Sequence, residues 1–438
     1  MSLTHLLRPL LPSRRLLATL ALPLALAACS SSDDDDRAAD ASPGNETPDT
    51  GGPSPSPYLD ARPGDLLEVA IAELQPTQAA IGYDQVYYKL GRWQPDLARP
   101  TWQNATPADP AQHLKYLNRT LGKKFEDFCE DMGAGTISGD FFATLDDALA
   151  ATLSDRDSFA CPEALGTHTD ILKTVVVGPA GRLYLTDGHH TFSSLYEIAD
   201  GGPELKVIVK VDQNYSDAST TGEFWQRMVT HDKVWLRDGD NNAITPEQLP
   251  TRVGMMHEDQ PGGMAEDAYR SLVYFTRSIG YDNGGLPEFA EFYWADWLRG
   301  QVVAGTLRDM SQYKLRAPAT LAEILDEARI NGSLQPTRAT DSYPAMVRDA
   351  ALLMSRLGDA DVVSGTRTAA ELGRIRLDDP ANIDSGVTKD ARDEMEELAR
   401  NDVNSSGGSR GAGKLWFAAN YRHCGAAATD SCWGWTSN

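Results

Sequence analysis

Between residues 171 and 212 the chain changes its period twice. "ILKTVVVGP" is a β-branched run closed by Gly-Pro, and "GRLYLTDG" alternates apolar with polar positions, so both predict strands. "HHTFSSLYEIAD" shifts to apolar residues three and four apart, which predicts a helix with Phe192, Leu195, Tyr196 and Ile198 inward; "ELKVIVKV" is a strand again. The result is a small α/β unit whose Asp187, Gly188, His189 and His190 stand at the end of a strand and the opening of a helix, where ligands of such sheets commonly bind. Upstream, "LLEVAIAEL" alternates, Gln75-Pro76 predicts a turn, and residues 110–130 carry helical spacing with Leu114, Leu117, Leu121, Phe125 and Phe128 on one side. Beyond residue 220 helical spacing dominates. It appears in "TGEFWQRMVTHDKVWL", "AEDAYRSLVYFTRSIG", "LPEFAEFYWADWLRGQVVAG", "TLAEILDEARING", "YPAMVRDAALLMSRLG" and "KDARDEMEELARND", with Gly, Pro and Asn between them. "NDVNSSGGSRGAGK" predicts a loop before a short C-terminal segment. The fold class is therefore α+β, a small mixed sheet with helices followed by a largely helical C-terminal region.

The two ends add an address. Arg8, Arg14 and Arg15 precede the apolar run "LLATLALPLALAAC", too short for a good spanning helix and shaped like a secretory signal. Leu26-Ala27-Ala28-Cys29 resembles a bacterial lipobox, which implies cleavage before Cys29, acylation of its thiol and a membrane anchor on the cell envelope. Residues 29–58, rich in Ser, Asp, Pro and Gly, have almost nothing to bury and predict a disordered tether. The four other cysteines suit an oxidising compartment, and proximity favours Cys129 with Cys161 and Cys424 with Cys432.

Charge narrows the partners. The chain carries a formal net charge of -23, which repels long duplex DNA but still allows a locally basic cleft to hold a small phosphate ligand or a short strand. Eight histidines are spread over the chain, so a His-His pair at a glycine turn stands out. A helix opening leaves backbone N–H groups free for phosphate, and imidazoles placed there could transfer protons. Asp187 could orient an imidazole or help hold a divalent metal. An exposed turn makes His189→Ala and His190→Ala nearly silent for stability.

The strings "QPTQAAIGYDQVYYKL", "VVVGPAGRLYLTDGHHTFSSLYE", "EDAYRSLVYFTRSIGY" and "FAEFYWADWLRG" together resemble the ParB-like nuclease group of the ParB/sulfiredoxin superfamily, over residues 70 to 300. The resemblance implies a ParB/sulfiredoxin-like sheet domain over 59–240 after the signal (1–28) and tether (29–58), helices of 241–400 packed on it, and a disulfide-closed segment at 401–438. In that superfamily the corner carries "GGCHR" or "GERR" and cradles a nucleotide phosphate. Here Gly188 takes the glycine position, His189 and His190 follow, and Thr191 stands where arginine is usual. The positive charge must then come from elsewhere, with Lys89, Arg270 and Arg299 as candidates; Glu291 and Asp296 could present polar groups to the cleft. The resemblance implies a phosphodiesterase or nuclease using Asp187, His189 and His190, or a non-catalytic nucleotide or phosphate-binding module on the envelope. Oligomeric state and substrate are not indicated.

Overall fold

The β-branched run at 174–177 forms the middle of a five-stranded sheet. The computed structural model describes residues 56–94, 109–310, 328–331, 342–398, 400–403 and 409–426. In chain order the strands are β1 (Leu66–Ala70), β2 (Leu74–Pro76), β3 (Ala80–Ile81), β4 (Thr174–Val177), β5 (Leu183–Leu185), β6 (Lys206–Asn214) and β7 (Ala265–Glu266). The sheet order is β1-β6-β4-β5-β2, while β3 and β7 pair separately and in parallel. Two of its pairings are parallel, β4 with β6 and β2 with β5; β1 with β6 and β4 with β5 are antiparallel. The sheet is mixed, as the alternation of periods implies.

Alternation along β6 buries Val207, Val209 and Val211, and the antiparallel register sets Val207 opposite Val69. These residues join Val175, Val177, Leu183 and Leu185 in one core, onto which the His189–Glu197 helix docks with Phe192 and Leu195. Removing apolar surface on this scale from water is the main favourable term for the unit. A second core is built by the helices Ala268–Phe275, Ala290–Val303 and Tyr343–Ser355, around residues such as Leu272, Trp294 and Met346. The Lys414–Cys424 helix lies along the Tyr83–Trp93 helix, where Arg422 Nε meets Asp84 at 2.6 Å and Nη2 pairs with Glu266. The Lys414–Cys424 helix is thereby fastened to the segment that leads into the site.

Three sequence expectations differ from the structure. Gln75-Pro76 lies in β2 and not in a turn. β2 is an edge strand, where the missing proline N–H need not pair with a neighbour. The loop expected at 401–414 contains an antiparallel hairpin, Arg400–Val403 with Ser409–Ala412, whose ladder needs only backbone groups and therefore leaves no apolar alternation to read. Residues 110–130 form two helices, Pro110–Arg119 and Leu121–Asp131, not one. Most of "TLAEILDEARING" lies outside the described residues.

Cys129 and Cys161 form a disulfide that ties the end of the Leu121–Asp131 helix to the segment crossing back to the sheet. Cys432, expected to pair with Cys424, lies outside the described residues, as does Cys29. No helix among the described residues is long and apolar enough to cross a membrane.

Candidate functional site

β5 stops at Leu185, and three residues later Gly188 turns the chain into the His189–Glu197 helix with φ at 95°. That left-handed conformation suits glycine, and a Cβ there would lie 2.5 Å from the Lys173 side chain. The first bond of the helix runs from the Phe192 N–H to the Gly188 carbonyl at 2.9 Å. The amides of His189, His190 and Thr191 consequently have no acceptor inside the helix, and all three residues line a cavity of about 320 Å³.

The two imidazoles are buried, at 4% and 8% exposure, contrary to the exposed turn that the sequence predicts. The reason lies in the "QPTQAAIGY" string. The Thr77 N–H donates to His189 Nε2 at 3.2 Å, and the Gly82 N–H donates to His190 Nε2 at 3.0 Å. Thr77 Oγ1 also donates to the Leu185 carbonyl at 2.6 Å, which ties this loop to the end of β5. Gly82 passes close to the Ala268–Phe275 helix, where a Cβ would come within 2.7 Å of the Ser271 backbone nitrogen, so the close approach needs glycine. With each Nε2 accepting from a backbone donor, the ring proton belongs on Nδ1, and among the described residues no protein group accepts from either Nδ1. Burial, with help from the Arg270 charge, pushes His189 down to about 3. His190 is likewise held well below the ordinary histidine value, by burial first and then by Arg270. Both rings are neutral donors at neutral pH.

The positive charge is Arg270, in the first turn of the Ala268–Phe275 helix. Asp267 caps that helix by accepting the Arg270 N–H at 2.9 Å, and Arg299 Nη2 holds Asp267 at 2.6 Å. Arg270 is 4% exposed; its guanidinium lies over the Phe292 ring and pairs through Nη2 with Glu291. Its Nε and Nη1 are buried and have no hydrogen-bond partner among the described residues. Glu291 also accepts from Arg277 Nε at 2.5 Å and from the Tyr281 hydroxyl at 2.6 Å. Burial alone would raise the Glu291 pKa, but Arg270 and Arg277 override it and hold the carboxyl well below its usual range. Two guanidiniums share the Glu291 carboxylate, and Lys173, Asp187 and Glu288 also line the cavity, so its charged side chains are three of each sign.

Of the residues singled out from the sequence, Asp187, Gly188, His189, His190, Thr191, Arg270 and Glu291 come together around this cavity. Lys89, Asp296 and Arg299 do not. Lys89 is 3.5 Å from Asp131 and stacks over Trp93; Lys173, paired with the other oxygen of Asp131 at 3.3 Å, reaches the cavity wall instead. Asp296 accepts from Asn241 and from Ser364, the latter at 3.2 Å, beside a different depression. Arg299 acts at one remove, through the Asp267 cap. Asp187 is exposed at the cavity mouth and bonds neither imidazole. Sequence reasoning passed over Thr77, Gly82, Gln85, Lys173 and Arg277. Three of these lie in the same "QPTQAAIGYDQVYYKL" string and Arg277 in "YFTRSIGY", but their spacing announces no chemistry. Among the described residues no group of three or more His, Cys, Asp or Glu side chains is arranged to hold a metal ion.

A family model described as "Putative ParB-like nuclease" matches residues 67–300, more than half of the chain. The chain belongs to that family. Every cavity residue named above lies within the matched span. Among solved structures, the crystal structure of protein Atu1540 from Agrobacterium tumefaciens is similar at 20% identity, covering 69% of this chain and 96% of that one with a TM-score of 0.37. No curated protein matches the chain.

Proposed function

We propose that the cavity of this ParB-like nuclease family member binds a small phosphate-bearing ligand, with His189 and His190 as neutral hydrogen-bond donors and not as an acid-base pair. The observation that carries this reading is Arg270: a buried arginine on the cavity wall whose Nε and Nη1 have no hydrogen-bond partner among the described residues. A buried charged donor without a partner is costly, and an oxyanion would satisfy it together with the free amides of the helix opening. Neutral imidazoles suit this role because they donate through Nδ1 while their other nitrogen is held by the backbone. The net charge of -23 speaks for a small ligand over a long duplex.

A second reading, hydrolysis of a bound phosphate ester, is favoured by Asp187. It is the cavity carboxylate without an ion pair among the described residues, since Glu288 meets Lys233 at 3.1 Å and Glu291 is bound to two arginines. Any base that activates water would then be Asp187.

Calorimetric titration of the purified protein with inorganic phosphate and a phosphomonoester tests both readings. The parent should bind, and Arg270→Lys should weaken binding by ~10- to 100-fold, because an ammonium can keep the Glu291 pair but not the planar fork. Asp187→Asn should keep binding and remove any ester turnover. Failure of the parent to bind either compound overturns the proposal.

We also propose that the domain works outside the cytoplasm on a lipid anchor at Cys29. The lipobox-like Leu26 to Cys29 and the Cys129–Cys161 disulfide support this, disulfides being rare where thiols are kept reduced. Cys29→Ser should move the protein from the membrane pellet to the soluble fraction or leave it unprocessed; unchanged fractionation and migration rules the anchor out.

A further inference from the structure

The residues at the heart of the cavity are closed off from solvent. His189, His190 and Arg270 are each less than a tenth exposed, so a ligand that reaches them must first displace part of the wall. One continuous part of that wall is residues 283–289, a run of turns leading into the Ala290–Val303 helix, with Asn283, Leu286, Pro287, Glu288 and Phe289 on the cavity. Among the described residues its backbone bonds only to Asp282, just before it, and to the first turn of that helix. Near its start Gly285 has φ at 66° and open space where a side chain would be. At its end Phe289 has φ at 60°, an outlier for a bulky residue, and strain of this kind persists only while the surroundings hold it. One ion-pair relay ties the segment to the sheet: Lys233 Nζ meets Glu288 at 3.1 Å and Asp212, on β6, at 3.0 Å. Apolar contact adds Leu286 on the second core and the Phe289 ring 5.6 Å from Trp235. Burial pushes the Glu288 carboxyl above its usual range, and Asp187 and Asp212 add to the rise against Lys233. The closed position is a costly place for that charge.

We propose that residues 283–289 are a lid, hinged at Gly284-Gly285 and latched by Lys233 through Glu288, whose opening admits the ligand. A segment with few backbone bonds to the rest of the fold, a glycine pair at one end and stored strain at the other is drawn from the low-stability part of a structure, as lids are. Opening also changes the charge of the cavity. With the lid closed its charged side chains are three of each sign, and Glu288 is one of the carboxylates. Swinging the lid away removes that carboxylate and leaves Lys173, Arg270 and Arg277 in excess. Closure and anion binding therefore compete, and the lid holds the empty cavity in a form that does not favour its ligand. The lid goes beyond the anion-binding reading; only this competition rests on it.

The test places a thiol inside the cavity of the full chain. Thr191 is buried and lines it, and Thr191→Cys is nearly isosteric, so the rate at which N-ethylmaleimide labels this cysteine, read by peptide mass spectrometry with the parent as background, reports lid opening. In that background Lys233→Met, which unlatches the lid and leaves Glu288 facing Asp212, should raise the rate by ~3-fold or more. Gly284→Ala fits the closed lid, since the nearest atom to its Cβ is 3.4 Å away, and stiffens the hinge, so it should lower the rate by ~2-fold. General loosening of the fold cannot slow the labelling. If Lys233→Met fails to fold by circular dichroism, Glu288→Gln decides and should also raise the rate. A rate unchanged in the folded latch variant, or a Gly284→Ala rate at or above that of Thr191→Cys alone, overturns the lid. Glu288→Gln should in addition bind inorganic phosphate ~3-fold more tightly than the parent in calorimetry; equal or weaker binding overturns the competition. If neither protein binds phosphate, the anion-binding reading fails and the thiol rates still decide the lid.

Discussion

Glu291→Ala should destabilise the protein by about 3–5 kcal/mol in denaturant unfolding at pH 7, the range for removing one partner of a buried ion pair. The carboxylate is wedged between Arg270, Arg277 and the Tyr281 hydroxyl, so its removal leaves two guanidiniums facing each other in a site largely closed to water. Burial alone would lower the Arg277 pKa, but Glu291 and Tyr281 raise it well above the ordinary arginine value, so it cannot shed its proton to relieve the strain. The pH dependence has a definite sign. Because the folded Glu291 pKa is depressed, its contribution is complete above the unfolded value of about 4.3 and fades as pH falls through the lower folded value. The gap between parent and variant should therefore be widest near neutrality and narrow below about pH 4. Added phosphate should recover part of the loss, since it replaces the missing negative charge. A Glu291→Ala protein as stable as the parent at pH 7 would mean that the two arginines are solvated, and the charged floor of the cavity would have to be abandoned.

The legibility of this site was uneven for a physical reason. β4, β5, β6 and the His189–Glu197 helix were readable because each shows one face to a core, and burial of one face writes a period of two or of three to four into the sequence. The corner was readable because Gly188 and a His-His pair are chemically conspicuous. What surrounds the corner was not. Thr77 and Gly82 act through their backbone N–H groups, which every residue except proline possesses, so no side-chain pattern betrays them. Lys89 and Lys173 could not be told apart along the chain. Both reach Asp131, and only the placement of the strands decides that Lys173 faces the cavity. Arg299, expected from "FAEFYWADWLRG" to supply charge to the phosphate, lies off the cavity and holds the Asp267 cap, an indirect role that spacing within a single helix cannot reveal. The hairpin at 400–412 escaped because backbone pairing alone defines it.

Burial of the histidines reverses the stability expected of an exposed turn. His189→Ala and His190→Ala should each cost about 2–4 kcal/mol, because each strands a buried backbone donor, of Thr77 or of Gly82, and opens a cavity where a ring was packed. Glutamine separates the two jobs of the imidazole. A Gln side chain can place an acceptor near the position of Nε2 but nothing at Nδ1, so His189→Gln and His190→Gln should recover much of the stability and still lose phosphate affinity by ~10-fold or more. The same burial predicts how the parent responds to acid. His189 ionises at about 3 in the folded protein and near 6.5 when unfolded, so it is neutral in the one state and takes up a proton in the other. Stability is then fully present above about pH 6.5 and falls as pH drops from there toward the folded value, by roughly 1.4 kcal/mol per pH unit for each such histidine. His190, shifted in the same direction, adds to the slope. Urea unfolding at pH 7.5, 5.5 and 4.5 measures it, and His189→Gln should flatten the curve by one proton. A parent whose stability does not change between pH 7.5 and 5.5 would show that the rings titrate normally in the folded state. They would then be available as acid and base after all, and the donor role assigned to them would fail.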